Sequence, residues 1–226
     1  HNKELSDFLD KTLNNYYDKV ITKNLSINLS KDSIELINAN YKKAVSISVD
    51  FLDKEINSKI KSRLSGKKDI FSKLFPIKNS TLLDCTAGYG RDSYVLRSMG
   101  FNVTMIENSP VMSLLLNDAL KKLKLLNFNM YHGNSYDYLN HSEKYYDYIY
   151  IDFMFNKLKK NSLSSKNDET LKLISFQEND KNNLIRLAIK KSNNRVVVKE
   201  PKNSLSNILK PEYTIKTKLL NFNIYK

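Results

Sequence analysis

An acidic residue and two closely spaced glycines make residues 82–92 the part of the chain best suited to bind a ligand. The segment places Asp84, Gly88 and Gly90 where an apolar strand is predicted to turn into a helix. The chain has only 5 glycines in 226 residues, so two glycines one residue apart indicate a backbone constraint. Glycine reaches positive φ and lets the backbone approach a ligand closely, and the first amides of the following helix point at the same place. The segment is therefore predicted to be a nucleotide-cofactor loop.

The residues around the glycines distinguish between two classes of cofactor. A dinucleotide loop typically reads G-x-G-x-x-G, but here the third position is Ser93, and Asp84 stands four residues before Gly88. This D-x-x-x-G-x-G pattern is typical of methyltransferases that use S-adenosylmethionine (SAM), whose ammonium group Asp84 can bind directly or through water. Glu107 follows the loop by about 20 residues, where an acid conventionally accepts hydrogen bonds from ribose hydroxyls.

A second candidate for chemistry is Asp152, directly after a strand predicted over residues 146–151. Ligands bind at the carboxyl ends of strands in open α/β sheets. Methyltransferases of exocyclic amines carry (Asp/Asn)-Pro-Pro-(Tyr/Phe) here, in which the acid or amide accepts from the target amine and the aromatic ring stacks on the base. Asp152 and Phe155 match the outer positions, and the prolines are absent. A turn-capping Asp152 followed by core phenylalanines stays open as the alternative.

Alternating strands and helices are predicted to position these motifs. The predicted strands after residue 80 are 80–85, 101–106, 128–131, 146–151, 195–199, 213–218 and 222–225. The predicted helices are 91–99, 110–126, a short one near 136, and 170–191. Alternation of this kind indicates a parallel sheet with helices on both faces, and the last two strands are too close in sequence for a crossover helix, so they form an antiparallel hairpin. The predicted fold class is α/β: a Rossmann-like class I methyltransferase fold with a mostly parallel seven-stranded sheet.

The residues before this pattern are predicted to form a small α+β appendage, giving an appendage over 1–76 and a cofactor-binding domain over 77–226. The appendage would contain a helix over 5–21, short strands over 25–29, 33–37 and 44–52, and a Lys-rich amphipathic stretch over 56–75. A cluster of lysines in that stretch, including Lys67 and Lys68, is either an RNA-contacting face or a solvated helix face, and phosphate contacts come mostly from Lys and Arg.

Composition limits the classes of function. The formal net charge is +13, which favours a polyanionic partner such as nucleic acid. Part of this charge is attributed to codon bias, because the chain is rich in Lys, Asn, Ile and Tyr, as expected from an AT-rich genome. A single cysteine excludes an internal disulfide and any multi-cysteine metal site. Without an apolar run of about 20 residues or a visible signal peptide, the expectation is a cytoplasmic protein with neither a membrane segment nor a metal.

The motifs together resemble the RsmJ family, bacterial methyltransferases of the guanine N2 amine in 16S small-subunit ribosomal RNA. Members read D-A-T-A-G-x-G-R-D-x-x-V-L, x-E-R-x-P, H-A-S-S, Y-x-D-P-M-F-P and V-V-V-K-R-P. This chain has ordered counterparts at residues 84–96, 107–110, 132–135, 150–155 and 196–201. The resemblance implies SAM as cofactor and ribosomal RNA or the small ribosomal subunit as partner.

The same resemblance implies site residues. Implied cofactor contacts are Arg91, Asp92, Glu107, Asn108, Asn134, Ser135 and Asp152. Asp152 would orient the target amine and Phe155 would stack on the guanine, while Lys67, Lys68 and Lys199 are predicted to contact RNA. The chain departs from the family at Asn108, Asn134, Phe153 and Glu200, and the last replaces an Arg and reverses a charge near the expected RNA side.

Three other functions stay open on the sequence. One is another amine-directed RNA methyltransferase, acting on adenine or on a different RNA. A nicotinamide-dependent oxidoreductase is disfavoured by Asp84, Ser93 and the terminal hairpin. The third is an RNA-binding homologue without catalysis, which the departures at Phe153 and Glu200 keep open.

Overall fold

The computed structural model describes residues 24–30, 33–54, 57–58, 70–123, 128–153, 166–175, 180–202 and 208–226. The first described elements are three antiparallel strands, β1 (Leu25–Leu29), β2 (Ile34–Asn38) and β3 (Val45–Ile47), in the order β1-β2-β3. The three predicted N-terminal strands are thus present, and the third is shorter than expected. The predicted helix over 5–21, together with Lys67 and Lys68, lies outside the described residues.

The central sheet has seven strands. They are β4 (Thr81–Asp84), β5 (Asn102–Glu107), β6 (Asn129–His132), β7 (Tyr146–Asp152), β8 (Ser192–Pro201), β9 (Tyr213–Lys216) and β10 (Leu220–Tyr225). Their order is β6-β5-β4-β7-β8-β10-β9, with parallel pairing from β6 to β8 and antiparallel pairing at β10 and β9. The predicted fold class is confirmed, including the terminal hairpin.

Among the helices that the structure describes, one precedes the central sheet and five lie between its parallel strands. They are α1 (Ile70–Leu74), α2 (Arg91–Ser98), α3 (Pro110–Lys122), α4 (Ser135–His141), α5 (Lys166–Ile174) and α6 (Lys181–Lys191). The start of α3 follows from local sequence: Pro110 occupies the first turn, where its missing N–H costs nothing, and the Ser109 side chain accepts from the Met112 amide at 3.2 Å. Among the described residues, no helix combines the length and apolar character needed to span a bilayer.

The single helix predicted over 170–191 is wrong. The chain forms α5 and α6 instead, and the second helix starts afresh at Asp180, whose carboxylate accepts from the Asn183 amide at 2.9 Å. An Asp at this position satisfies an otherwise unpaired amide of the first turn. Residues 177–183 carry no apolar side chain, so the sequence contained a signal for this break that the prediction of one helix passed over.

The N-terminal strands share a hydrophobic core with the central sheet. Leu36 and Phe51 are buried in one cluster with Leu82 and Leu96. A buried hydrogen bond of 2.7 Å from Asn38 to the Thr170 hydroxyl ties β2 to α5. The division of the chain at residue 76 stays a prediction, and the shared core shows how closely the two parts depend on each other.

The strand order sets the place of a binding crevice. From β4 the chain proceeds to β5 and β6 on one side, and it then returns to place β7 and β8 on the other. Helices that leave β4 and β7 therefore diverge, and the crevice between them opens at the carboxyl ends of these strands. Asp84 ends β4 and Asp152 ends β7, so the two predicted motifs meet at this point.

Gly90→Ala is expected to destabilise the fold more than Gly88→Ala. Both glycines have positive φ, 66° and 51°, so a side chain at either costs about 1–2 kcal/mol. A Cβ at Gly90 would also lie 2.7 Å from Leu116 Cδ1 and 3.0 Å from Phe51 Cζ, whereas the nearest atom at Gly88 is 3.9 Å away. Overpacking adds about 1–3 kcal/mol. Urea denaturation of both variants measures the difference, and equal unfolding free energies would contradict it.

Candidate active site

The glycine loop is held between β4 and β5 by backbone contacts. The Ala87 amide donates to the Ile106 carbonyl at 3.0 Å, and the Gly90 amide donates to the Ala87 carbonyl at 2.7 Å. Positive φ at Gly88 and Gly90 makes this tight path possible. The loop consequently ends at the start of α2, whose first turn faces the crevice.

Asp84 lies buried beneath this loop. Its Oδ1 accepts from the Thr86 amide at 3.0 Å and its Oδ2 from the Ser93 hydroxyl at 2.6 Å. Burial raises the pKa of Asp84 to about 7, against the effect of these two hydrogen bonds, and the nearby carboxylates of Asp92 and Asp152 raise it further. A carboxyl group in this state is ready to pair with a cationic ligand, which would favour its ionised form.

Glu107 fastens the loop to the end of β5. Its Oε2 accepts from the Gly88 amide at 2.7 Å and its Oε1 from the Ser109 amide at 2.7 Å. Burial raises the pKa of Glu107, while the backbone amides oppose that rise. An ionised carboxylate has about four acceptor positions, so Glu107 can hold the loop and still accept from hydroxyl groups of a ligand.

Asp92, Asp152 and Lys199 form an ionic cluster beside Asp84. The Lys199 ammonium lies 2.7 Å from Asp152 Oδ2 and 3.0 Å from Asp92 Oδ2. The Tyr150 hydroxyl donates to the same Asp92 oxygen at 2.9 Å, and the Asp152 amide donates to the Thr86 hydroxyl at 2.7 Å. These ion pairs and hydrogen bonds join α2, β7, β8 and the glycine loop to one another.

The cluster sets the charges of its members. Burial raises the pKa of Asp152, whereas the Lys199 ammonium lowers it and Asp92 raises it. Burial by itself lowers the pKa of Lys199, but the two carboxylates outweigh it and hold that pKa above its ordinary value. Lys199 is therefore a fixed cation that keeps Asp152 closer to its ionised state.

These groups line a cavity of about 370 Å³ at the carboxyl ends of β4 and β7. Within the described part of the chain, its acids are Asp84, Asp92 and Asp152 and its cations are Lys199 and the exposed Arg91. Three acids against two cations leave one net negative charge when all five are ionised. The donor set therefore fits a ligand with a net positive charge, as SAM carries with its sulfonium, ammonium and carboxylate groups. Among the described residues, no three His, Cys, Asp or Glu side chains are grouped to hold a metal ion.

Asn134 and Ser135 lie at the start of α4. The Asn134 carbonyl oxygen Oδ1 accepts from the Tyr136 and Asp137 amides at 2.8 and 3.2 Å, which caps the helix. The Ser135 hydroxyl donates to the Cys85 carbonyl, joining α4 to the end of β4. Both side chains position the rim of the crevice, and Asn108 lies half-buried beside Glu107.

Lys199 faces the cavity. Its ammonium is engaged by two carboxylates there, and its contact with RNA stays a prediction. The expectation for Glu200 requires a correction, because its side chain is buried and accepts from Asn223 Nδ2 at 2.6 Å. The Glu200 side chain, which reverses the charge of the family's Arg, therefore lies between β8 and β10 and not on an RNA-facing surface. Phe155 lies outside the described residues.

Sequence reasoning missed Tyr150 and Thr86 as parts of the site. Tyr150 lies two residues before Asp152 on β7, and alternate residues of a strand share a face. That spacing was a usable signal for Tyr150. Nothing in the sequence indicated that the Thr86 hydroxyl would accept from the Asp152 amide across two strands.

Comparisons with known proteins agree with this geometry. A family model described as "Putative SAM-dependent methyltransferase" matches residues 16–226. The protein named ribosomal RNA small subunit methyltransferase J from Coxiella burnetii is 37% identical over 154 residues, covering 64% of this chain and 60% of that protein, so the match spans less than two thirds of its length. The protein of the same name from Buchnera aphidicola is 32% identical over 215 residues, covering 89% of this chain and 86% of that protein.

A solved structure shows the same fold. The SAM-dependent methyltransferase NGO1261 of Neisseria gonorrhoeae superposes with a TM-score of 0.68 at 21% identity, covering 94% of this chain and 93% of that one. The extent of the family match and the identity to the Buchnera protein establish the relationship. The chain belongs to the family of SAM-dependent methyltransferases, among the relatives of ribosomal RNA small subunit methyltransferase J.

Proposed function

We propose that this protein transfers a methyl group from SAM to the exocyclic N2 amine of a guanosine in 16S small-subunit ribosomal RNA. The observation that carries the proposal is the Asp152 carboxylate, at the end of β7, facing the same cavity as the glycine loop. The names of the relatives supply the class of RNA. A ribosomal substrate would place the reaction in the cytoplasm.

The cofactor would be held along the carboxyl ends of β4 and β5. Asp84 would bind the ammonium group, and Glu107 would accept from ribose hydroxyls while it holds Gly88. Gly88 and Gly90 would let the backbone pass close to the ligand. When bound, SAM supplies an electrophilic methyl group on its sulfonium.

Asp152 would act on the RNA side of the cavity. Its carboxylate would accept from the guanine amine, orient the nitrogen toward the methyl carbon, and stabilise the positive charge that develops on that nitrogen. Lys199 leaves room for this role because it contacts one oxygen, Oδ2, and a carboxylate has further acceptor positions. Phe155 would stack on the guanine, as the sequence motif suggests.

The partner in this proposal is the RNA itself, alone or in the assembled subunit. A net charge of +13 supports association with a polyanion. Lys67 and Lys68 remain proposed phosphate contacts on the strength of their sequence cluster.

Replacing Asp84 by Asn is expected to move stability and cofactor affinity in opposite directions. The folded-state pKa of about 7 exceeds the ordinary value of 3.8, so the native protein binds the extra proton between these values and stability falls as pH rises through this window. At pH 8 Asp84→Asn removes a buried charge and should raise the unfolding free energy of the ligand-free protein. It should also weaken SAM binding by roughly 10- to 100-fold, since the variant cannot offer a charged hydrogen-bond acceptor to the ammonium group.

Urea denaturation at pH 5 and pH 8, together with calorimetric titration of SAM, measures both effects. The gain in stability should shrink at the lower pH. Unchanged cofactor affinity in Asp84→Asn would remove Asp84 from the ammonium site.

Asp152→Ala should fold and still bind RNA, but slow methyl transfer by about 10²–10³, the scale for one preorganised electrostatic partner. The control is Asp147→Ala at the opposite end of β7, which removes the acceptor of two hydrogen bonds from Thr81 and should cost stability without slowing transfer. Mass spectrometry of nuclease-digested small-subunit RNA should show N2-methylguanosine. Full activity in Asp152→Ala would discard its role, and methylated adenine would discard the substrate.

The methyl-transfer rate should fall at acidic pH, and Lys199→Met is expected to shift this acid limb of the pH–rate profile to higher pH. Lys199 lowers the pKa that burial raises at Asp152, so removal of the ammonium lets this pKa rise, and the ionised carboxylate then forms only at higher pH. Lys199→Arg keeps the cation and should keep the limb near its original position. A pH–rate profile for the three proteins measures the effect, and an unmoved limb in Lys199→Met would show that Lys199 does not govern Asp152.

A further inference from the structure

The turn of the terminal hairpin lies on the same edge of the sheet as the cavity. β10 runs antiparallel to β8 and its first residue, Leu220, pairs with Pro201, so the β9–β10 turn is found at the carboxyl ends of the parallel strands. The Lys202 amide extends the pairing by donating to the Leu219 carbonyl at 2.9 Å. Lys202 follows Lys199 by three residues, about 10 Å along an extended strand.

This end of the hairpin is basic and carries a protruding apolar side chain. Lys202, Lys216 and Lys218 are exposed, and within the described part of the chain none of their ammonium groups forms an ion pair. Leu219 is 73% exposed, more than any other large hydrophobic residue that the structure describes. We call these four residues the hairpin surface.

The turn that presents Leu219 is held by several hydrogen bonds. The Thr217 amide donates to the Leu220 carbonyl at 2.8 Å, and the Leu220 amide donates to the Thr217 hydroxyl at 3.0 Å. Together with the hydrogen bond from the Lys202 amide to the Leu219 carbonyl, these bonds hold the tip of the turn both within the hairpin and from the end of β8. An apolar side chain held in place among exposed lysines suits contact with a polymer that has negatively charged phosphates and stacked bases.

We propose that the hairpin surface receives the RNA next to the target guanosine, with its lysines on phosphates and Leu219 against the bases. The proposal rests on the proposed function. The β10 strand lies two strands from β7 in the sheet, about 10 Å away at a spacing of about 4.8 Å per strand. Phe222 of β10 is level with Asp152, and Leu219 lies three residues before it, about 10 Å farther along the strand direction. A nucleotide whose base enters the cavity therefore has its neighbours within reach of this surface.

The charge and the apolar residue have separate tasks in this arrangement. Lysines bind phosphates without reading sequence. A base that undergoes chemistry must leave its stack, and apolar side chains such as Leu are used as wedges between base steps. Leu219 would occupy or support the gap that the target guanine leaves.

The lysines are tested by the salt dependence of binding to a small-subunit RNA fragment that contains the methylated site. The variant Lys202→Glu/Lys218→Glu should bind more weakly, with a slope of log affinity against log salt that is flatter by about 0.7–0.9 for each phosphate that the variant fails to neutralise. The neutral variant Lys202→Gln/Lys218→Gln should give the same direction with a smaller decrease in affinity. Both variants change only exposed side chains, and thermal unfolding checks that they remain folded.

The matched control reverses two exposed lysines at the opposite edge of the sheet. Lys144 precedes β7 and Lys190 lies near the end of α6, so Lys144→Glu/Lys190→Glu makes the same change in net charge far from the cavity. The hairpin variant should show the larger decrease in affinity and the flatter slope of the two. Equal slopes and affinities in the two variants would overturn the assignment of the surface.

Leu219 is tested by comparing two RNA substrates with the same guanosine, one paired in a helix and one in an unpaired strand. Leu219→Ala should slow transfer to the paired guanosine by on the order of 10-fold, because only the paired base must first be unstacked, and should hardly change transfer to the unpaired one. Equal slowing on both substrates would overturn the wedge role. If the wild-type protein methylates neither RNA, the proposed function itself fails, whereas an active wild type with an unaffected hairpin variant rejects only the surface.

Discussion

The structure of the site depends on holding three acidic side chains together at the end of a parallel sheet. Asp84, Asp92 and Asp152 come from β4, α2 and β7, and like charges this close disfavour one another's ionised form. The Lys199 ammonium contacts both Asp92 and Asp152 and offsets part of that cost for them. Asp84 is buried without a lysine beside it in the described part of the chain, and burial raises its pKa to about 7, with further contributions from Asp92 and Asp152. The arrangement is thus one cation short, which is the physical basis for expecting a cationic cofactor.

Packing around the glycine loop makes this charge arrangement possible. Phe51, which follows the N-terminal strands, stacks on Tyr94 of α2 with ring centroids 4.7 Å apart. Leu116 of α3 and Phe51 both approach Gly90 so closely that a Cβ there would clash. The loop is therefore pressed into the core on one side while its other side faces the cavity. The N-terminal strands contribute to the site through this packing, although no catalytic role is assigned to them.

In our proposal, the C-terminal hairpin links the reaction centre to the recognition of RNA. β8 carries Lys199 into the cavity and then pairs with β10, whose turn places Leu219 and exposed lysines on the same edge. The buried chain of Glu200, Asn223 and Thr214 joins β8, β10 and β9 by side-chain hydrogen bonds of 2.6 and 2.8 Å. A buried polar network of this kind fixes the register of the hairpin. Movement of the tip relative to Lys199 is correspondingly restricted.

The family, the fold class and the position of the glycine loop could be predicted from sequence because their signals are local. Apolar periodicity indicated the strands and most helices, and Asp84, Gly88 and Gly90 lie within one loop. Glu107 was found because the distance from the loop to the end of the next strand is nearly constant in this architecture. The break between α5 and α6 was missed although it also had a local signal, since residues 177–183 carry no apolar side chain.

Only the tertiary structure decided the partners of the charged residues. Asp152 and Lys199 face each other because β7 and β8 pair in parallel with these residues in register, and register between strands 47 positions apart in sequence leaves no local trace. For the same reason, Glu200 was expected near RNA but is buried against Asn223 of β10. The sequence by itself determined which chemical groups are available and which loop is proposed to bind the cofactor. The pairing of strands determined which acid has a lysine beside it, because the energy of a charge depends on its neighbours in space.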